Sequence, residues 1–338
     1  MVDVGPVSEL QPGAEFNDEA AAKAYLKLFA PFEREIASAS TVYLVPDDIL
    51  NYLPFARLRL ADGRYWIERQ QLRVLQTGRD LLRSDADRPA RGLLALGGLD
   101  YGSAADKNVE SGSVSAKSAD PMRSDAVSRA ALTFRNGFAL LPETLDEVKD
   151  VAAWYQLLRV DEPVPEIWSG SDAGKKRLLA RSAPPRVLHL ATHGFCQTGP
   201  VQEPMLLCGL ALSGANSALR DGRADGILFA LETQSLNLDG TELVVLSACD
   251  TVRGAIDYSE GVFGLARALR TAGARNTMVT LWKLADGEAH DFIVEFYKKW
   301  LTQPRSDPAK ALRDTQLSWI KQLNRHNPDS WAPYVIIE

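Results

Sequence analysis

A histidine and a cysteine stand in this chain at the positions where a reactive pair is most expected. His193 follows the apolar run VLHLA, and Cys249 follows the apolar run ELVVLSA. Near-continuous apolar runs are typical of parallel strands covered on both faces, and open parallel sheets carry reactive groups just past the carboxyl ends of such strands. An imidazole that meets a thiol can take its proton and later protonate the leaving amine. The pair therefore predicts acyl-transfer chemistry, with Cys249 as the nucleophile and His193 as its proton-transfer partner.

The residues beside this pair predict the rest of the site. Gly194 has no Cβ, so its N–H can approach a substrate carbonyl closely, and the N–H of Cys249 supplies a second donor. We predict that these two groups form an oxyanion hole. Asp250, Asp257 and Glu260 follow the nucleophile in the sequence. They are predicted to line the substrate pocket, where their negative charge favours a basic substrate residue before the scissile bond. Three arginines offer the opposite charge, which would favour an acidic one: Arg220, Arg223 and Arg253.

Less active roles are also open to these residue types. Free cysteine is among the most buried residue types, so Cys249 also fits a small core position. His189 lies inside its apolar run, and it is predicted to be a core histidine or a group that supports the site. His193, in contrast, lies past the run in a Thr-His-Gly sequence.

Cys196 and Cys208 have no catalytic neighbours in the sequence and are predicted to be structural. The chain has three cysteines and begins without the basic and apolar segments of a signal peptide, which argues against a disulfide framework. A zinc site built from His189, His193, Cys196 and Cys208 would lack a C-x-x-C knuckle and would place two ligands along one strand. We therefore expect neither a metal nor a cofactor.

Composition and charge narrow the functional class. The 338 residues are 46% hydrophobic, which is enough for one large core or two smaller ones. The net charge is -6, with Lys and Arg scattered along the chain, so no basic surface for nucleic acid or for an anionic membrane is expected. No apolar run approaches the roughly 20 residues needed to cross a bilayer. We expect a soluble, cytoplasmic protein.

The elements that must position the pair alternate between strands and helices in the second half of the chain. Such alternation is typical of an α/β fold with a mainly parallel sheet. In the first half, a helix over 17–39 is divided by Pro31, because proline removes a helical N–H. Residues 102–129 are rich in Ser, Ala, Asp and Gly, which predicts a flexible linker. The predicted division is a first half at 1–101, this linker, and a catalytic half at 130–338.

The spacing of apolar residues and the capping residues predict the individual elements. The predicted strands are 41–45, 65–75, 93–96, 165–169, 186–191, 242–248, 276–282 and 334–337. The predicted helices after the linker are one capped by Thr144, then 172–181, 260–272, 286–301, and one from the cap Asp307 to about 323.

Several longer motifs resemble one known family, the CHAT domain, which is related to the caspases and to separase. The matching segments are VPD (45–47), LPF (53–55), HLATHGF (189–195), LVVLSACDT (243–251), GVFGLARAL (261–269), AGA (272–274), LW (281–282) and WAPYVII (331–337). The likeness covers nearly the whole chain from about residue 17. His193 precedes Cys249 by 56 residues, close to the separation of about 50 residues in caspases.

The resemblance implies a caspase-like αβα sandwich in which a degenerate, non-catalytic first half leans on a catalytic second half. It also implies that His193 and Cys249 are the catalytic dyad and that Gly194 contributes to the oxyanion hole. The helical repeats that usually precede this domain are missing from the chain. Regulation is therefore expected from a protein in trans, either a TPR-containing protein or another sensor.

The predicted function is that of a cysteine endopeptidase that cleaves a protein substrate, in a bacterial defence, stress or cell-death circuit. Two alternatives stay open. One is a catalytically silent caspase-like interaction module, since a fold does not fix a function. The other is a different thiol acyl hydrolase or transferase, because acylation of the cysteine does not specify a peptide as the acyl donor.

Overall fold

The computed structural model describes residues 16–82, 89–102, 130, 134, 136–196, 204–247, 261–282, 284, 286–302, 307–323 and 325–338. The strands are β1 (Thr41–Leu44), β2 (Gln71–Val74), β3 (Leu93–Leu99), β4 (Glu166–Gly170), β5 (Val187–Ala191), β6 (Gly194–Cys196), β7 (Cys208–Ala211), β8 (Ile227–Phe229), β9 (Leu243–Ser247), β10 (Asn276–Thr280) and β11 (Tyr334–Ile337). The helices are α1 (Asp18–Leu28), α2 (Glu33–Ile36), α3 (Trp66–Arg69), α4 (Glu143–Leu158), α5 (Lys175–Leu179), α6 (Ala215–Arg220), α7 (Ala230–Thr233), α8 (Gly261–Thr271), α9 (Asp286–Thr302), α10 (Pro308–Ile320) and α11 (Pro328–Trp331).

The main sheet has eight strands in the order β1-β2-β11-β10-β9-β5-β3-β4. Neighbouring strands run parallel except β10 and β11, which pair antiparallel. The mainly parallel α/β sheet predicted from the sequence is therefore confirmed. Its order places β5 directly beside β9, so the two apolar runs that precede the candidate dyad are neighbours.

Both faces of the central strands are covered, which explains their near-continuous apolar sequences. All five residues of β5 are buried. Because successive side chains point to opposite faces, Leu188 and Leu190 join the hydrophobic cluster on one side, with α8 and the strands β7 and β8. Val187 and Ala191 join the cluster on the other side, with α4, α9 and α10. The result is the layered sandwich that the resemblance implies.

The first helix forms as its cap and its proline predict. The side chain of Asn17 accepts a hydrogen bond from the Ala20 N–H at 3.0 Å, and α1 begins at the next residue. The helix ends before Pro31, and α2 follows as a separate turn.

The predicted strand over 65–75 is wrong in its first part. The Tyr65 N–H donates to the Glu68 carboxylate at 2.7 Å, which closes the single turn α3. Trp66 in this turn is fully buried, so its packing outweighs the apparent strand pattern. The strand β2 begins only at Gln71.

Two predicted helix starts are wrong by a few residues. α4 begins at Glu143 rather than after Thr144. The Thr144 hydroxyl donates to the Leu141 carbonyl at 2.6 Å and accepts from the Gly98 N–H at 2.8 Å, so it ties the helix to β3. α5 begins at Lys175, three residues later than predicted.

A smaller sheet of β6, β7 and β8 follows β5, in a stretch that the sequence left without regular structure. β7 pairs antiparallel with both of its neighbours. Cys196 and Cys208 face each other across β6 and β7, with their Cα atoms 4.1 Å apart, and form a disulfide. The expectation of no disulfide is wrong for this pair, because the strand register brings the two side chains together.

The predicted linker lies outside the described residues apart from Gly102. β3 precedes the predicted boundary at residue 101, yet it lies between β5 and β4. The first 101 residues therefore contribute three strands to the sheet from which His193 projects, one of them directly beside β5. The division into two halves stays a prediction. Among the described residues, no helix combines the length and the apolar composition needed to cross a bilayer.

Candidate active site

The candidate dyad follows two adjoining strands. β5 and β9 run parallel, and their register pairs Ala191 with Ser247. His193 and Cys249 each follow two residues after these paired positions. Neighbouring strands lie about 4.8 Å apart, so the two strands deliver the chain to the same edge of the sheet. Outside the described residues lie Cys249 and the predicted pocket residues Asp250, Asp257 and Glu260.

The imidazole of His193 is oriented by a backbone carbonyl. Its Nε2 lies 2.7 Å from the Ala139 oxygen. A carbonyl oxygen only accepts hydrogen bonds, so Nε2 carries the hydrogen, and Nδ1 is the nitrogen that can take a proton. The half-buried ring packs against Tyr101 and Phe138, with ring centroids 5.3 and 5.5 Å away. These contacts define one ring orientation and one tautomer.

Tyr101 and Thr192 hold the backbone around His193. The Thr192 hydroxyl donates to the Ala211 carbonyl at 2.5 Å and lies 2.8 Å from the Tyr101 hydroxyl. Burial raises the pKa of Tyr101, with the hydrogen bonds to Thr192 and to the His193 backbone opposing part of the rise. The phenol therefore stays neutral and protonated at neutral pH. This network fixes the strand end from which His193 projects.

Gly194 opens β6 directly beside His193. The Ala211 N–H donates to the His193 carbonyl at 2.9 Å, which makes these two residues a hydrogen-bonded pair of the antiparallel ladder. Hydrogen-bonded and non-hydrogen-bonded pairs alternate in such a ladder, so Gly194 and Leu210 form a non-hydrogen-bonded pair. The N–H of Gly194 therefore points away from β7, toward the outer edge of β6. This direction suits the predicted oxyanion role.

His189 belongs to the core, as one of its two predicted roles requires. It is fully buried, and its Nε2 lies 2.8 Å from a Glu147 carboxylate oxygen. Its Nδ1 lies 3.1 Å from the Tyr297 hydroxyl. Burial raises the pKa of Tyr297 well above the usual value, with the Glu147 charge as a further cause. The cluster lies on the α4 and α9 face of the sheet and stays apart from the edge that carries His193.

Three of the four residues considered as zinc ligands are bonded to other groups. Cys196 and Cys208 are joined in the disulfide, and His189 is bonded on both ring nitrogens. Among the described residues, no group of three or more His, Cys, Asp or Glu side chains has the arrangement of a metal site.

Two parts of the site had no signal in the sequence. The Ala139 carbonyl is a backbone group, and it lies 54 residues before the histidine that it orients. Asn216, whose amide bonds the backbone of Phe138, lies in a stretch for which the sequence predicted no helix or strand. Tyr101 had a weak signal, since it follows the carboxyl end of a strand that neighbours β5.

Comparisons with known proteins found a matching family model and several similar solved structures. The family model described as the CHAT domain matches residues 18–338. The Arg-specific cysteine proteinase gingipain R (RgpB) superposes with a TM-score of 0.49 and 9% identity, over 96% of this chain and 68% of that chain. A complex of the Porphyromonas gingivalis RgpB pro- and mature domains superposes with a TM-score of 0.49 and 9% identity, over 96% of this chain and 70% of that chain. A structure described as a protease superposes with a TM-score of 0.43 and 11% identity, over 98% of this chain and 70% of that chain. No curated protein matches the chain.

The matched region begins at the first residue of α1 and ends after β11. It contains the motifs that carried the resemblance, and the parallel sheet with helices on both faces is the caspase-like α/β arrangement that the resemblance implied. From α1 to β11, the chain therefore belongs to the CHAT domain family.

Proposed function

We propose that the chain is a cysteine endopeptidase in which His193 activates Cys249 for attack on a peptide bond of a protein substrate. One observation supports the proposal: β5 and β9 pair in parallel, and in the sequence His193 and Cys249 each follow by two positions the paired residues Ala191 and Ser247. The Ala139 carbonyl supports it, because this bond leaves Nδ1 of the imidazole as the base. Membership of a family related to cysteine peptidases supports it further.

The proposed reaction begins with transfer of the Cys249 thiol proton to Nδ1 of His193. The thiolate adds to the carbonyl carbon of the scissile bond, and the Gly194 and Cys249 N–H groups receive the charge that develops on the oxygen. The imidazolium gives its proton to the leaving amine as the C–N bond breaks. His193 then takes a proton from water, which hydrolyses the thioester and restores the thiol.

The specificity and the cellular role are proposed from the sequence. Asp250, Asp257 and Glu260 are proposed to favour a basic residue before the cut. The family resemblance supports a bacterial defence, stress or cell-death circuit, with a regulatory protein acting in trans. A cytoplasmic location belongs to the same proposal.

A peptide-based thiol-reactive probe tests this function. We expect the probe to label Cys249 faster in the folded protein than in the denatured protein, and His193→Ala to remove this advantage. A scan for new protein N-termini should then identify cleaved substrates. No difference in labelling between folded and denatured protein would favour a silent interaction module. Labelling without new N-termini would favour another acyl transferase or hydrolase.

A further inference from the structure

The hydrogen bonds around Phe138 assign a further residue to the site. We propose that Asn216 is a positioning residue, which acts through the Ala139 carbonyl on the imidazole of His193. The inference rests on the proposed function, because ring orientation matters to the rate only if His193 transfers protons.

The amide of Asn216 is matched to the backbone of one residue. Its Oδ1 accepts from the Phe138 N–H at 2.7 Å, and its Nδ2 donates to the Phe138 carbonyl at 3.0 Å. Nδ2 also donates to the Gly102 carbonyl at 3.0 Å. Asn216 is only 5% exposed, so water has little access to replace these bonds. The side chain supplies to Phe138 the two backbone bonds that a neighbouring strand would otherwise supply.

Phe138 directly precedes the residue that orients His193. The described residues 137–141 belong to no helix or strand, so no ladder holds the Ala139 carbonyl in place. The amide of Asn216 fixes the preceding peptide in both position and rotation. The Ala139 carbonyl thereby stays 2.7 Å from Nε2 of His193.

Asn216 is anchored to the sheet that carries the candidate dyad. It lies in the first turn of α6, and its N–H donates to the Tyr101 carbonyl at 2.8 Å. The Gly214 N–H, which precedes this turn, donates to the Asp100 carbonyl at 2.9 Å. These bonds join α6 to the end of β3, the strand beside β5. These bonds fix the Asn216 amide relative to the sheet, and the amide in turn fixes the segment whose Ala139 carbonyl contacts the imidazole.

Steady-state kinetics of Asn216→Ala test the inference. The variant removes all three side-chain bonds, and we expect kcat for a short peptide substrate to fall about 10- to 100-fold, since a displacement of about 1 Å costs on the order of 100-fold. KM should stay within about twofold, because Asn216 is not assigned to substrate binding. Asn216→Asp keeps the acceptor for the Phe138 N–H but sets a carboxylate against two carbonyl oxygens. It should lose at least as much kcat, and it provides a second variant of similar size should the alanine variant fail to fold.

A double-mutant cycle separates positioning from a merely structural role. The rate at which iodoacetamide alkylates Cys249 reports the activated thiolate. Asn216→Ala should slow this rate in the wild-type background and change it by less than about twofold in the His193→Ala background, because an absent imidazole needs no orientation. An equal loss in both backgrounds would show that Asn216 affects only folding, and it would overturn the inference.

Asn276 offers a matched control. It is also 5% exposed, and its Nδ2 donates to the Glu242 carbonyl at 2.8 Å, at the start of β10. Asn276→Ala should leave kcat within about twofold of wild type. An unchanged kcat in folded Asn216→Ala would overturn this inference alone, whereas full activity in Cys249→Ala would overturn the proposed function.

Discussion

At the scale of single residues, the partner of His193 determines what the imidazole can do. A carbonyl oxygen has no proton to give, so the Ala139 carbonyl fixes the hydrogen on Nε2. A carboxylate in this place would also stabilise the imidazolium by its full charge, whereas a carbonyl offers only its dipole. The position of the Ala139 carbonyl relative to the imidazole therefore matters more for orienting the ring. The amide of Asn216 bonds the preceding residue and can fix that position.

His189 permits a prediction about stability rather than about chemistry. Tyr297→Phe removes the hydroxyl that lies 3.1 Å from Nδ1 of His189 and leaves a buried ring nitrogen without this partner. We expect a loss of about 1–3 kcal/mol in the free energy of unfolding, measured by urea denaturation. The cleavage rate should stay within about twofold, because this cluster lies apart from His193.

Tyr155 provides the control for that prediction. It is equally buried, and its hydroxyl has no hydrogen-bond partner among the described residues. Burial raises its pKa, with the Glu162 charge as a further cause, so the phenol is neutral. Tyr155→Phe should be neutral or slightly stabilising. An equal loss in both variants would show that the bond to His189 is not the cause.

At the scale of elements, the disulfide between β6 and β7 makes a second prediction. Cys196 and Cys208 are 12 residues apart in the sequence, and closing a loop of this size stabilises a protein by up to about 3 kcal/mol. The paired variant Cys196→Ser with Cys208→Ser should unfold at lower denaturant concentration than the oxidised wild type. A reducing agent should lower the wild-type midpoint and leave that of the variant unchanged. A wild-type unfolding midpoint that does not change on addition of the reducing agent would contradict a stabilising disulfide.

The sequence predicted the elements that present a regular face to the core. β5 and β9 were predicted because successive side chains face two cores in turn, which makes the whole run apolar. α10 was predicted because Asp307 caps it, accepting a hydrogen bond from the Ala309 N–H at 2.9 Å. The strands β6 to β8 and the turn α3 span three or four residues each, too few to show a period. Tertiary packing, rather than local preference, determines these short elements.

The same distinction between local sequence pattern and tertiary packing applies to the residues of the candidate site. His193 was predicted because it combines a reactive side chain with a position past a buried strand. Ala139 and Asn216 were not predicted, because they act through contacts that depend on the packing of distant segments. A backbone carbonyl has no side-chain signature, and a lone asparagine outside any predicted helix or strand is a common turn residue.

At the scale of the whole molecule, Arg73 joins the first strands to the last one. It donates two hydrogen bonds of 2.7 Å to the Glu338 carboxylate after β11, and it also pairs with Asp307 before α10. Burial opposes the charged form, but Glu338 and Asp307 together raise the pKa of Arg73 above its usual value. Arg73→Met should lower the free energy of unfolding by about 2 kcal/mol, because it leaves two partly buried carboxylates without their cation.

Arg64 is the matched control for this prediction. It also donates two hydrogen bonds to one carboxylate, that of Asp62, but both side chains are about half exposed. Exposed pairs contribute little to stability, so Arg64→Met should change the unfolding midpoint much less than Arg73→Met. Equal shifts in chemical denaturation would show that Arg73 does not hold β2 and β11 together.

The dyad itself is tested most directly by cleavage rates of Cys249→Ala, His193→Ala and the double variant, each checked for folding by thermal denaturation. Loss of the nucleophile removes the covalent pathway, so Cys249→Ala should abolish turnover. General-base assistance is worth about 10²–10⁴-fold, so His193→Ala should slow turnover at least about 100-fold. The double variant should be no worse than Cys249→Ala, because the two residues act as a unit. Full activity in folded Cys249→Ala would contradict the account.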